Sequence, residues 1–510
     1  MATHYILADL VKVYSKPVKN TQHFLTVLAW GDEVEFIKDN EKTLEIGLKN
    51  FIEKPDGSIL PQSTTGYIFK SSKRATKTII APVEQKDVMM VTFVDVQQGD
   101  ACVLETPKGK TVLIDGGENQ MFARYLATRY GGTSLNAPKD IDCIIISHGD
   151  ADHFEGLPKI LESEKHSVPK KRFFMNPHRV YHNGLVKRPQ KYKNDNTIVA
   201  TKMFGSTIDK GNQKFISALE NDLLLVPDEE MNAPFKRWKR TLAVYKERNA
   251  ALLLKRLDHT STGDFNFLAD EHIEVKVLGP ITEKIAGNTT LKFLRQPSKS
   301  VEIDENRVKK AGSYSASHTI NGHSIILKFT YGNVNFLFSG DLNEEAEDIL
   351  VGMQQGNKKL IRSEILKVPH HGSADFANSF FEAVNPLVSI VSSGDESENK
   401  EFIHPRATLM GVLGKYARYE RPLVFVTELV AFFKREGWAR VTDGKKKDTP
   451  LHNLKEIYAF SRTAYGSVHV RTNGEKLFVF THSGQKDLKE AYSFIISADG
   501  EVERKDVVIK

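Results

Sequence analysis

Three apolar runs in this chain each end in acidic or imidazole side chains, the pattern that a divalent-metal site requires. In the first, Ile141-Asp142-Cys143-Ile144-Ile145-Ile146 leads into Ser147-His148-Gly149-Asp150-Ala151-Asp152-His153. The apolar run reads as a buried strand ending at Ser147, which leaves four metal-competent side chains on one tight loop. Two neutral imidazoles and two carboxylates suit a borderline or hard divalent ion such as zinc or manganese. In the second, Val334-Asn335-Phe336-Leu337-Phe338 ends in Ser339-Gly340-Asp341. In the third, Ile365-Leu366-Lys367-Val368 ends in Pro369-His370-His371-Gly372-Ser373. Alone, Asp341 reads as a turn residue or helix N-cap, because Asn343-Glu344-Glu345 continues like a first helical turn. The histidine pair alone says as little. Together the three strand ends predict metal-dependent hydrolysis.

Positioning such ligands takes sheets. Met89 to Val96, Ala101 to Thr106 and Thr111 to Gly117 read as strands, with Lys108-Gly109-Lys110 turning the second hairpin. Met121 to Tyr130 reads as a helix and Lys214 to Leu257 as amphipathic helices, before strands return over Ile273 to Pro280 and Ser324 to Ser339. Residues 1–72 carry short strands at close spacing with Gly-Asp turns, the pattern of a small β-barrel. The expected order is a barrel over 1–72, a polar linker over 73–88, and an α/β hydrolase domain over 89–510 with a long insertion at about 160–320.

At 510 residues the chain exceeds one ordinary core, and its formal charge of +6 is mild for that length. The two cysteines, Cys102 and Cys143, sit in apolar runs and read as core residues of a reducing compartment. No apolar stretch approaches the roughly 18–20 residues of a membrane span, and Met1 to Lys12 lacks a basic leader pattern. These features predict a cytoplasmic protein with no membrane partner.

In sequential order, the His-x-Asp-x-Asp-His run from His148 to His153, Ser339-Gly340-Asp341 and Lys367-Val368-Pro369-His370-His371-Gly372-Ser373 resemble the metallo-β-lactamase superfamily. They resemble in particular the hydrolase domain of the ComEC-type DNA-uptake competence proteins. Phe93 to Asp100, Leu113 to Gly117, Asn321 to Leu327 and His404-Pro405 resemble that branch too, so the likeness spans about residues 89 to 410. No run matches the membrane channel of those proteins, and DNA transport is not implied. Leu28 to Val34 and Gly66-Tyr67-Ile68 are similar to pieces of a bacterial SH3-like domain.

The superfamily resemblance implies an αββα sandwich holding two divalent ions, Zn2+ or Mn2+, at the edge where the strands meet. It implies His148 and Asp150 on one ion, Asp152 and His153 with a histidine of the 370–371 pair on the other, and Asp341 bridging both. His370 is assigned to the metal, and His371 with Asp152 to catalysis; Asp152 or Asp150 would orient the attacking water. Aspartate at position 150, where most of the superfamily has histidine, tilts the preference from zinc toward manganese. The histidine completing the first ion's shell is open among His178, His182 and His323. Asp115 reads as structural, bonding the loop from beneath.

Lys170, Lys171, Arg172, Arg179, Lys187, Arg188, Lys191 and Lys193 interleave with Phe173, Phe174, Tyr181 and Tyr192. Charge for a backbone and rings for bases suit a nucleic acid strand, the ordinary alternative being a solvated loop. His404 stands between substrate contact and turn residue. The expected reaction is phosphodiester hydrolysis on nucleic acid. One alternative is a small phosphodiester, ester or lactam substrate, since the scaffold hosts many chemistries. Another is recruitment of a protein or peptide by the SH3-like barrel, with the metal domain as effector or sensor.

Overall fold

The computed structural model describes residues 2–53, 59–72, 75–189, 200–297, 311–354, 356–357, 359–394, 404–428, 466–481 and 490–510. Two sheets face one another. The first runs in the order Leu253–Arg256, Arg179–His182, Cys143–Ile145, Thr111–Asp115, Ala101–Glu105, Met89–Phe93, Val468–Thr472, Lys476–Thr481, Ala491–Ile496, Val502–Lys505. The second runs Ile273–Gly279, Ile326–Tyr331, Val334–Phe338, Ile365–Lys367, Val388–Val391, Leu423–Val426.

Side-chain alternation explains why the central strands are almost wholly apolar. Val112, Ile114, Cys143 and Ile145 face the second sheet and meet Phe329, Phe336, Ile365 and Ile390. Their neighbours Leu113 and Ile144 face the other way, onto Phe122 and Leu126 of the helix Met121–Arg129, Leu157 and Ile160 of Gly156–Ser163, and Trp238 and Leu242 of Ala233–Arg248. The second sheet is covered likewise by Glu344–Gly352, Asn378–Val384 and Ala407–Tyr416. A strand buried on both faces has no position for a polar side chain until it ends. The result is a mixed α/β sandwich of helix, sheet, sheet, helix. Cys102 and Cys143 are buried and unpaired inside it.

The long segment over 160–320 is not an insertion throughout. It supplies Arg179–His182 and Leu253–Arg256 to the first sheet and Ile273–Gly279 to the second. Strands of four residues are too short to show periodicity against the loops around them. Lys214 to Leu257 contains one helix, Ala233–Arg248, capped by Asn232, whereas Lys214 itself lies in the strand Gln213–Ile216.

Seven antiparallel strands form the N-terminal sheet around Ile6, Val11, Val13, Val34, Leu44, Ile46 and Ile68. The expected linker differs from what is observed: Ile80–Pro82 pairs with Thr3–Ile6, and Ile79 and Ile80 enter this core. Two adjacent isoleucines outweigh the polar residues before them, and Pro82 ends an edge strand where a missing N–H costs nothing. The sheet is fastened to the sandwich. Trp30, Val88, Met90, Phe478 and Phe480 share one apolar cluster, and Leu10 bridges to Ile509. Buried Arg471 donates to the Trp30 carbonyl and to Asp32 Oδ1, the latter at 2.8 Å. Burial opposes ionisation of Asp32, yet the Arg471 guanidinium and the Ala29 N–H outweigh it and hold the carboxyl at about 2.

Arg471→Ala would leave Asp32 without its counter-charge and the Trp30 carbonyl without its donor. A loss of roughly 3 kcal/mol is expected, read as a lower urea midpoint. Because the folded-state pKa of Asp32 is depressed, its contribution is complete above the ordinary carboxylate range and is lost as pH falls toward about 2. The wild-type advantage over the variant should therefore shrink on acidification below about pH 4.

Candidate metal centre

All the motif-bearing loops leave the sandwich at one edge, because the strands Thr111–Asp115, Cys143–Ile145, Val334–Phe338 and Ile365–Lys367 finish there. Asp115 sits beneath the His148–His153 loop. Its Oδ1 accepts from the Ser147 N–H at 2.7 Å, and its Oδ2 accepts from Ser147 Oγ at 2.7 Å and from His153 Nδ1 at 2.9 Å. A carboxylate on Nδ1 fixes the ring and turns Nε2 to the opposite side. That Nε2 stands 3.3 Å from Asp341 Oδ2. The Ser392 carbonyl does the same for His371, accepting from Nδ1 at 2.9 Å and leaving Nε2 3.2 Å from Asp341 Oδ2 and 3.4 Å from Asp152 Oδ2. His148 lies against Ser147 Oγ at 3.1 Å and Ser324 Oγ at 3.3 Å through Nδ1, with Nε2 4.0 Å from Asp341 Oδ2.

Close packing of the loops makes this convergence possible. Gly99, at φ +97°, lies so near the Asp152 carbonyl that a Cβ would come within 1.7 Å of it. Gly340, at φ +49°, would drive a Cβ to 2.5 Å from Ser324 Oγ, the hydroxyl that accepts from the Asp341 N–H at 3.0 Å.

Three buried imidazole Nε2 atoms, of His148, His153 and His371, have no hydrogen-bond partner among the described residues, and neither has Asp341 Oδ1. Buried polar atoms left unsatisfied at one point are costly unless something binds them. Four compact donor groups result: Asp152 with His153 and His371, His148 with His153 and Asp341, and two around Asp100, one with Asp341 and His371 and one with Asp115 and His153. Borderline nitrogen and hard oxygen donors at this spacing fit a divalent ion. Burial opposes the charge on Asp341, but His153 and His371 outweigh it and hold the carboxyl well below its usual range. Burial, reinforced by His153, pushes His148 well below the ordinary imidazole value and keeps it neutral.

Two residues with no role assigned from sequence belong to this centre. Lys367 is buried and ion-paired with Asp100, donates to the Gly340 carbonyl at 3.0 Å and lies 3.7 Å from Asp341 Oδ1. Burial resists its charge, and Asp100 and Asp341 raise its pKa nonetheless. Asp100 also stands 3.5 Å from His371 Nδ1. The signal was a lysine inside the otherwise apolar run Ile365 to Val368.

Of the histidine pair, the structure brings His371 into the cluster and leaves His370 out, reversing the expected assignment of His370 to the metal. Both residues adopt left-handed backbone, φ +49° and +53°, and the turn separates their ring centroids by 6.3 Å. His370 Nε2 instead faces the Asn321 amide at 3.3 Å, and its ring lies 6.1 Å from that of His404. Burial first, then His371 and His370, lower the His404 pKa to about 4. Asp150 stays at the margin, ion-paired with Lys187 and 4.0 Å from His148 Nε2. None of the three candidates for a further histidine ligand reaches the cluster. His178 pairs with Asp140 at 3.0 Å, His182 faces the Asn221 carbonyl at 3.2 Å, and His323 faces the Lys292 carbonyl at 2.6 Å.

The basic-aromatic segment is also placed differently from expectation. Lys170, Lys171 and Arg172 precede Met175–Pro177, whose register against Lys139–Ile141 sets them at the entry end of the sheet. Arg179 opens its strand at that same end, donating to the Asp142 carbonyl at 3.2 Å and covering the Phe267 ring. The ligand loop leaves the opposite end. Phe173 and Tyr181 are buried, because both belong to the core packing of short strands. Lys191, Tyr192 and Lys193 lie outside the described residues.

Residues 94–182 match the model of the family described as the metallo-beta-lactamase superfamily. That stretch includes the Asp115 strand and the His148–His153 loop, and it supports a metal-dependent hydrolase as the class to which this site conforms. The Competence protein ComA of Neisseria gonorrhoeae is 37% identical over 75 residues, 14% of this chain and 10% of that protein. The chain thus spans about a tenth of that relative's length.

Purified protein should carry a tightly held divalent ion that His153→Ala and His371→Ala each abolish and His370→Ala retains, measured by elemental analysis after dialysis. Asp115→Asn should weaken the ion's affinity roughly 10- to 100-fold by loosening His153, measured by competition with a chromophoric chelator.

Proposed function

We propose that this chain is a metal-dependent phosphodiesterase whose substrate is nucleic acid. The observation that carries the reading is the convergence of the His148, His153 and His371 Nε2 atoms on one oxygen of Asp341. The ComEC-type motifs and the partial likeness to a competence protein support the choice of phosphodiester.

Asp152, His153, His371 and Asp341 would hold the ion. A bound divalent cation supplies Lewis acidity toward a phosphoryl oxygen and a more acidic water. The chain's own residues do the rest. Gln98 Nε2 donates to Asp152 Oδ2 at 3.1 Å and steadies the carboxylate that would orient the attacking water. His370 and His404 line the rim beside the cluster as contacts for the phosphate and its leaving group. With a pKa of about 4, His404 is neutral at pH 7 and acts there as a hydrogen-bonding group, not as a cation.

One observation favours a second reading, in which the substrate is a small phosphodiester, ester or lactam. Phe173 and Tyr181 are buried and Lys170, Lys171, Arg172 and Arg179 lie at the far end of the sheet, so these six residues give no polymer track at the centre. Residues 1–72 would serve either enzyme as an SH3-like module recruiting a protein or peptide in the cytoplasm. Among the described residues no helix is long and apolar enough to cross a membrane.

Incubated with manganese and single- or double-stranded DNA and RNA, the wild type should cleave at least one polymer, and an Asp152→Ala, His153→Ala double variant none. Absence of metal-dependent cleavage of every polymer overturns the nuclease reading. Turnover of a chromogenic phosphodiester that long DNA fails to inhibit moves the assignment to the small-substrate enzyme.

A further inference from the structure

We infer that the chain keeps one resident divalent ion and that the Lys187 ammonium stands beside Asp150 where a second cation would bind. The inference rests on the metal-centre reading above and deepens it.

One position is complete. Asp152, His153 and His371 form one compact donor group, with Asp152 Oδ2 3.4 Å from His371 Nε2, and Asp341 Oδ2 stands 3.2 Å from His371 Nε2 and 3.3 Å from His153 Nε2. Donors about 2.1 Å from a tetrahedral ion lie roughly 3.4 Å from one another, so these contacts match a single ion. The other position is not complete. Only His148 and Asp150 remain to build it, with Asp341 shared, because His153 Nε2, which also groups with His148 and Asp341, can serve one ion only. Asp150 is already engaged on both oxygens: Lys187 holds Oδ1, and the Asn321 amide, turned to satisfy its neighbours, donates to Oδ2 at 2.9 Å. The same Asn321 rotamer donates to the Ser317 carbonyl and accepts from His370 Nε2, which ties it to the rim.

A second divalent ion on Asp150 would have to sit against an ammonium already hydrogen-bonded there. Like charges at contact distance disfavour that state. No further imidazole offsets the loss, because His178, His182 and His323 are engaged elsewhere, His182 at both nitrogens. Lys187 is a fixed monovalent charge in place of an exchangeable divalent one. Its side chain is 22% exposed, enough for the ammonium to meet an anionic substrate from the open side of the centre. The polarity matches the reaction class proposed above, in which a phosphodiester oxygen needs a positive neighbour opposite the ion.

The test uses the full chain equilibrated with micromolar free manganese, with ion content measured by elemental analysis and coupling by electron paramagnetic resonance. The wild type should hold one ion per chain with the six-line signal of isolated manganese. Lys187→Ala, with an unchanged circular dichroism spectrum, should take up a second ion and show a spin-coupled signal. Two ions in the wild type overturn the inference, as does a single uncoupled ion in Lys187→Ala. No ion in either form removes the metal reading itself, and this inference with it.

Discussion

A concentration of negative charge in a buried place governs this molecule. Asp100, Asp115, Asp150, Asp152 and Asp341 all stand around one cluster, and most are almost wholly removed from water. Unpaired carboxylates there would be neutralised by protonation or would unfold the loops. The chain answers with two ammonium groups, Lys367 beneath and Lys187 at the side, and with imidazoles aimed inward. What remains is a set of nitrogen and oxygen donors with no hydrogen-bond partner among the described residues, a set that suits a divalent cation.

The fold exists to make that meeting point stiff. Each ligand loop is anchored by a strand buried on both faces, and each ligand is oriented by a second group fixed in turn by the sheet edge. His153 depends on Asp115, which depends on the Ser147 N–H; His371 depends on the Ser392 carbonyl at the end of Val388–Val391. The Ile325 N–H reaches the Ser147 carbonyl at 2.8 Å, so the two sheets are stitched together beside the donors. An error in strand register would turn every ligand by a whole face. Packing Val112 and Ile114 inward while Leu113 meets the helices is therefore part of the site's geometry.

Local grammar was readable in the sequence, and non-local pairing was not. The Lys108-Gly109-Lys110 hairpin and the helix from Met121 each rest on a few adjacent residues, and each occurs as read, whereas the helix after Asp341 is capped by Asn343 and not by Asp341. So do the strand ends that carry His148, Asp152, His153 and Asp341. Choosing between His370 and His371 required the left-handed turn at both positions, which no propensity announces for histidine. Asp100 escaped, and Lys187 was read as a nucleic-acid contact and not as the partner of Asp150, because their meaning lies in partners 37 or more residues distant in sequence, Lys367 and His371 in one case and Asp150 in the other. The basic-aromatic segment misled for a related reason. Its composition suited a surface strip, but alternate residues of Arg179–His182 belong to the core.

Strand direction, finally, constrains how substrate arrives. The strands contributing to the centre that lie parallel to one another release their loops at the same end, so approach to Asp341 is confined to that end. Charge at the entry end, however dense, is separated from the centre by the length of the sheet and contributes little across that span, since exposed charges are screened within about 8–10 Å. Among the described residues, groups that share the ligand end include Lys187, His370, His404 and the Asn321 amide. These groups are few and close together. On the phosphodiesterase reading proposed above, they would match a phosphate and its immediate neighbours better than a long contact strip.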